Sequence, residues 1–171
     1  MKFSFYKNKK GFSLIEMLVY VSVLTIIFLL VINTVLSFTS SYHRLAALRQ
    51  LDRSGTDSLE RLTRDIRNAT SIDAANSVFG SASSTLQIIS TQNSVSTTTK
   101  FYIPAGTLKL NVNSIVIGPL TNSDVTVTNF NLTSLTSSNS SAVRIQMTLQ
   151  ATNGSVTVSK KYYSTVILKG S

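Results

Sequence analysis

The chain contains no cysteine, so neither a disulfide framework nor thiol chemistry is open to it. Whatever folds here does so on packing and hydrogen bonds alone. The first of only two prolines is Pro104, and nothing before it forces a break in a helix. There is one histidine, His43, and there are seven acids, of which only Asp73 and Asp124 lie beyond the helical first part. Two scattered carboxylates supply neither an acid–base pair nor an oxygen cage for a hard cation. G-x-S-x-G, H-E-x-x-H and phosphate-cradling glycine loops are missing, and no serine or threonine has a visible base. The expectation is a chain that is not an enzyme and carries no catalytic residue, metal site or cofactor. His43 falls just past the apolar run, where a solvated or headgroup-facing side chain is expected rather than a ligand.

What is present is concentrated near the start. Lys2, Lys7, Lys9 and Lys10 precede Gly11, and residues 12–38 then contain one ionisable side chain, Glu16. Residues 17–38 would make about 33 Å of helix at ~1.5 Å per residue, enough for a hydrocarbon core of ~30 Å. This is a membrane segment. Basic residues before the run keep the N-terminus cytoplasmic and send the remainder outward. A carboxylate inside the run costs at least a few kcal/mol unless partnered. If the chain is cut between Gly11 and Phe12, the new α-amino group lies one helical turn from Glu16, on its own chain or a neighbour's. An ordinary secretory signal has a shorter apolar region, no acid within it and small residues at its end. Here the run is longer and holds Glu16, although residues 37–40 offer a weak small-residue site.

Gly11-Phe12-Ser13-Leu14-Ile15-Glu16 resembles the class III signal of type IV prepilins and pseudopilins. The resemblance implies processing by prepilin peptidase after Gly11, N-methylation of Phe12, and a role for Glu16 in docking the subunit during assembly. It further implies other pilin or pseudopilin subunits, an inner-membrane assembly platform and the lipid bilayer as partners. The protein would first be a single-pass protein of the bacterial cytoplasmic membrane, then part of a cell-surface or periplasmic fibre. Arg64-Asp65-Ile66-Arg67-Asn68-Ala69 and the C-terminal Tyr162-Tyr163-Ser164-Thr165-Val166-Ile167-Leu168 resemble stretches of J-type minor pseudopilins. Two departures stand out. Many Gram-negative pilins close a C-terminal loop with a disulfide, which this chain cannot do, and several major pilins carry a proline where this chain has Asn33.

Removal of the leader takes away four of the sixteen basic residues, leaving twelve against seven acids, a net charge of +5. The mature chain has room for one modest core beside its anchor. From Asn33 a helix of different character continues to about residue 67, which would be ~84 Å in all. Leu45, Leu48, Leu59, Leu62 and Ile66 fall on a 3-4 spacing, with Asp52 and Gly55 interrupting the stripe. That interruption disfavours a free coiled coil and favours packing on the protein's own sheet. Gly55 is the weakest helical position, by roughly 1 kcal/mol relative to alanine. Asp57 with Arg61 and Glu60 with Arg64 are expected as i,i+4 pairs.

After residue 72 serine, threonine and asparagine dominate. Residues 74–84 read as a loop, and strands are expected at 86–91, 99–103, 108–112, 114–117, 125–132, 142–151 and 155–168. Pro104-Ala105-Gly106 marks a turn, and Asn153-Gly154 marks a type I′ hairpin. One helix followed by antiparallel strands is an α+β order. It matches the type IV pilin fold: a long N-terminal helix, half transmembrane and half amphipathic, packed on a C-terminal antiparallel β-sheet. The expected divisions are a basic leader at 1–11, a transmembrane assembly helix at 12–38, an amphipathic helix at 39–70 and a β domain at 71–171.

The basic residues of the sheet, Lys100, Lys109, Arg144, Lys160, Lys161 and Lys169, would make an electrostatic footprint for DNA if they converged. A solvated mixed surface is favoured over that reading. The favoured function is a minor pilin or pseudopilin of a type IV pilus, type II secretion pseudopilus or competence pseudopilus. The competing functions are a DNA-binding uptake pilin and a membrane-anchored adhesin with an uncleaved signal anchor.

Overall fold

The computed structural model describes Gly11, residues 13–137 and residues 140–168. The leader residues 1–10, Phe12 and Lys169 lie outside the described residues. A single helix, α1 (Leu14–Asn68), runs 55 residues without a break. Two compact units divide the chain, Met1–Ser41 and Tyr42–Ser171.

In the first unit the described residues are almost wholly helical, and their apolar side chains are all exposed. A run of that length and composition suffices to cross a membrane. Its hydroxyls are turned back on the helix itself. Ser22, Thr25, Thr34 and Thr39 each donate to the carbonyl four residues earlier, at 2.8–3.0 Å. No free hydroxyl proton is then offered to lipid at those positions.

The second unit holds the core. Its strands are β1 (Ser71–Ile72), β2 (Leu86–Gln92), β3 (Val95–Tyr102), β4 (Lys109–Val112), β5 (Ile115–Pro119), β6 (Val125–Ser137), β7 (Ser140–Asn153) and β8 (Val156–Ile167). All seven expected strands are present, and the two-residue β1 adds to them. Every ladder is antiparallel and joins neighbours in sequence. The strands form two sheets, β1–β5 and β6–β8, rather than the single sheet expected. Backbone from elsewhere occupies the outer edge of β6. Phe130 N–H donates to Ala82, Ser84 N–H to Phe130, Gly80 N–H to Leu132 and Val127 N–H to Gly106. Loop backbone therefore fills the place where β5 would have to pair to close one sheet.

Alternation along β7 makes the core. Val143, Ile145, Met147, Leu149 and Ala151 are buried on one face, beside Phe130 and Leu132 of β6 and in one core with Phe101 of β3. Burying each large side chain contributes roughly 1.5–3 kcal/mol. The helix adds Ala47, Leu51, Ser54, Gly55, Ser58, Leu62 and Ile66. This stripe differs from the leucine stripe expected: Leu45 is exposed, and Ser54, Gly55 and Ser58 are inside. The apolar count favoured the larger residues, but the close approach of sheet and loop backbone favours small ones. Ser58 Oγ, for instance, donates to the Leu120 carbonyl at 3.1 Å. Arg61 also differs from expectation: its Nε donates to Asp65 Oδ2 at 2.8 Å, four residues on, rather than turning back to Asp57.

The hairpin turns show how local chemistry sets the strands. Asn93-Ser94 and Asn113-Ser114 have positive φ at both positions (51° and 63°, 49° and 68°), the pattern of a type I′ turn. At the third hairpin Asn153 pairs with Val156, so the two central residues are Gly154 and Ser155, and only Gly154 has positive φ (59°). That is the II′ pattern, one residue later than the Asn-Gly reading, because Asn153 stays in the strand.

Candidate functional site

The N-terminal constellation begins at Gly11, which is exposed, with nothing from the other described residues within 4 Å of the place a Cβ would take. Phe12, assigned to cleavage and methylation on sequence, lies outside the described residues. Ser13 accepts the first intrahelical bond, from Met17 N–H at 3.1 Å, so Ser13 stands at the N-cap and Glu16 at the third helical position. Ser-x-x-Glu is capping-box spacing, a signal readable in the sequence and missed there. The carboxylate thus sits in the first turn, where the partial positive charge of the helix start favours it. Tyr20, one turn on, donates its hydroxyl to Glu16 Oε1 at 3.4 Å, long for such a bond. The ion pairs Arg61–Asp65 and Lys160–Asp52 do not include Glu16.

The β domain has its own polar junction with the helix. On β8 the Tyr162 ring lies against Gly55, and a Cβ there would be 2.3 Å from the ring's Cζ. The Tyr162 hydroxyl donates to Asp52 Oδ1 at 3.2 Å, and Lys160 Nζ donates to the same oxygen. The Lys160 bond holds the Asp52 carboxyl below the usual carboxylate range, with Tyr162 adding to it. Burial, reinforced by the Asp52 charge, pushes the Tyr162 phenol well above its ordinary value. Asp52 and Gly55, which seemed to interrupt the helical stripe, are the residues that receive β8.

His43 belongs to the domain too. Its Nδ1 lies 2.8 Å from Asn153 Oδ1, and the ring covers Gly154 at the hairpin tip, 3.4 Å from a Cβ built there. The half-buried ring therefore rests on the protein, not in solvent or among headgroups as expected.

The basic residues of the expected DNA footprint are dispersed. Lys100 lies opposite Asn111 and Lys109 opposite Tyr102, on the face of the five-stranded sheet away from buried Phe101 and Leu110. Arg144 and Lys161 share the outer face of the three-stranded sheet, opposite Thr133 and Thr148 respectively. Lys160 points the other way, to Asp52. A cleft of about 680 Å³ is lined by Arg61, Asp65, Thr70, Ile88, Thr99 and Val112, among others. Its charged residues, Arg61 and Asp65, are spent on each other.

Comparison with known families places a match where this geometry begins. The family described as "Prokaryotic N-terminal methylation motif" matches residues 6–32, the segment holding Gly11, Ser13, Glu16 and the first turns of α1. No curated protein and no solved structure matches the chain significantly. With that motif at its start, one long apolar N-terminal helix and antiparallel sheets behind it, the chain is similar to type IV pilins and pseudopilins. The long exposed apolar helix fits a membrane-anchored pilin.

Proposed function

We propose that the protein is a minor pilin or pseudopilin that is cut after Gly11 by prepilin peptidase, methylated at Phe12 and packed through its helix into a short fibre. The carrying observation is Glu16, a carboxylate in the first turn of a lipid-length apolar helix whose one described hydrogen bond is a long contact to Tyr20. An acid in that position calls for a cation at the same depth. The amine of a processed Phe12 supplies one, on the same chain or, in the fibre, on the adjacent subunit. Lipid already solvates the apolar helix, so burial among neighbouring helices drives assembly weakly, and a polar pair must select the register. The end of α1 and the Tyr162-Tyr163 stretch support the minor, J-like reading through their resemblance alone.

The test compares incorporation into sheared fibres for wild type, Glu16→Ala and Glu16→Gln, with mass spectrometry of the mature N-terminus. Methylated Phe12 in all three, with incorporation lost in both variants, is the expected result. Wild-type incorporation by Glu16→Ala rejects the role of Glu16, and an intact leader in working fibres rejects processing. The DNA-uptake reading draws less support, because Lys160 faces Asp52 while Lys161 and Arg144 face the other way.

A further inference from the structure

Asn33 stands out in the membrane-length part of α1. The hydroxyls of Ser22, Thr25, Thr34 and Thr39 all return to their own helix, whereas the Asn33 carboxamide has no hydrogen-bond partner among the described residues. It brings two donors and an oxygen acceptor to an environment that can satisfy none of them.

We infer that this helix forms a parallel homodimer in the membrane, before and apart from fibre assembly, through a seam centred on Asn33. Three arguments choose a second copy as the occupant. First, a carboxamide is its own complement, since the N–H of each can donate to the oxygen of the other. Second, all copies insert with the same orientation, so Asn33 of one copy lies at the same depth as Asn33 of another. Third, Asn33 selects a frame. The run is apolar in every direction, so hydrophobicity alone chooses no face. With Asn33 at position a of a heptad, Ile26 takes the preceding a, and Leu29 and Leu36 take the flanking d positions. β-branched residues at a with leucine at d favour two parallel strands, and one asparagine at a fixes register and oligomeric state at some cost in stability. Ser22 at d and Ser40 at a, with hydroxyls already satisfied, add small residues that let the backbones approach. The frame with Asn33 at d puts Ile26 at d, the arrangement of higher oligomers.

The inference rests on membrane insertion and not on the fibre role. The absence of cysteine makes its test direct, because each introduced cysteine is the only thiol. The full chain is expressed in a host without an assembly system, and single-cysteine variants are oxidised in isolated membranes. Ile26→Cys, Leu29→Cys and Leu36→Cys are expected to cross-link, and Phe28→Cys, Val31→Cys and Val35→Cys are not. In the Leu29→Cys background, Asn33→Val is expected to weaken dimerisation about 3- to 30-fold and Asn33→Gln to retain most of it. Equal cross-linking from both sets overturns the inference, as does a dimer indifferent to Asn33→Val. Dimers seen only when the assembly system is supplied also overturn it, since the contact would then belong to the fibre. A normal fibre phenotype for Glu16→Ala leaves this measurement untouched, so the two proposals fail separately.

Discussion

Gly55→Ala sets two well-measured tendencies against each other. In an exposed helix the substitution stabilises by ~1 kcal/mol, because alanine loses less backbone entropy than glycine. Here the new methyl would sit 2.3 Å from Tyr162 Cζ and 2.6 and 2.7 Å from the two Cε atoms. Carbon–carbon contacts settle near 3.5–4.0 Å, so the ring must retreat by more than about 1 Å. It can do so only by giving up its bond to Asp52 and its shelter against the helix. Overpacking costs typically ~1–3 kcal/mol, and a partly exposed hydrogen bond to a carboxylate adds about 1 kcal/mol at most. The expected net effect is destabilisation of ~1–2 kcal/mol, read as a lower midpoint in urea unfolding of the detergent-solubilised chain with unchanged m. The control is the same substitution in Tyr162→Ala, where the clash is gone and the propensity gain of ~1 kcal/mol should reappear with reversed sign. Stabilisation by Gly55→Ala in the wild-type background, or the same sign in both, would refute the argument.

Three further outcomes follow from the same geometry. Ser114→Gly removes a non-glycine residue at φ 68° from a tight turn and should raise stability by ~0.5–1 kcal/mol in the same unfolding assay, Asn113 being left to hold the turn. Asp52 has a depressed pKa when folded, so its contribution is present above the ordinary value of 3.8 and fades as pH falls through the lower, folded value. Asp52→Asn should therefore flatten the acid limb of stability below about pH 4, and Lys160→Met should do the same; an unchanged acid limb in both would discount the junction. Gly154→Ala, at φ 59° beneath His43, should destabilise by ~1–2 kcal/mol, while Ser155→Ala beside it should be close to neutral; equal effects would argue against the II′ turn.

Much of this architecture was legible because it is local. An uninterrupted apolar run, a helix with no proline and strands with alternating polarity each announce themselves within about ten residues. The N-terminal segment was legible only in part: the carboxylate inside the apolar run was plain, whereas the Ser13–Glu16 capping spacing, equally local, was overlooked. What could not be read depended on how near two elements come. Counting apolar residues put Leu45 in the helix's inner stripe and left Asp52 and Gly55 as flaws, because nothing local says that the Tyr162 ring takes up the space over Gly55. His43 looked like a headgroup residue for want of knowledge that the Asn153 hairpin reaches it. The division into two sheets was hidden likewise, since it turns on loop backbone pairing with β6 across gaps of some twenty to fifty residues.

The strictly sequential pairing of the strands bears on the order in which such a chain folds. Each hairpin can close as soon as its own residues are available, with little loop entropy to overcome. The helix, by contrast, waits longest for its cover, since the tyrosine that lies over Gly55 belongs to β8, the last strand in chain order. Until β8 has formed, that inner stripe stays open to chaperones and to error.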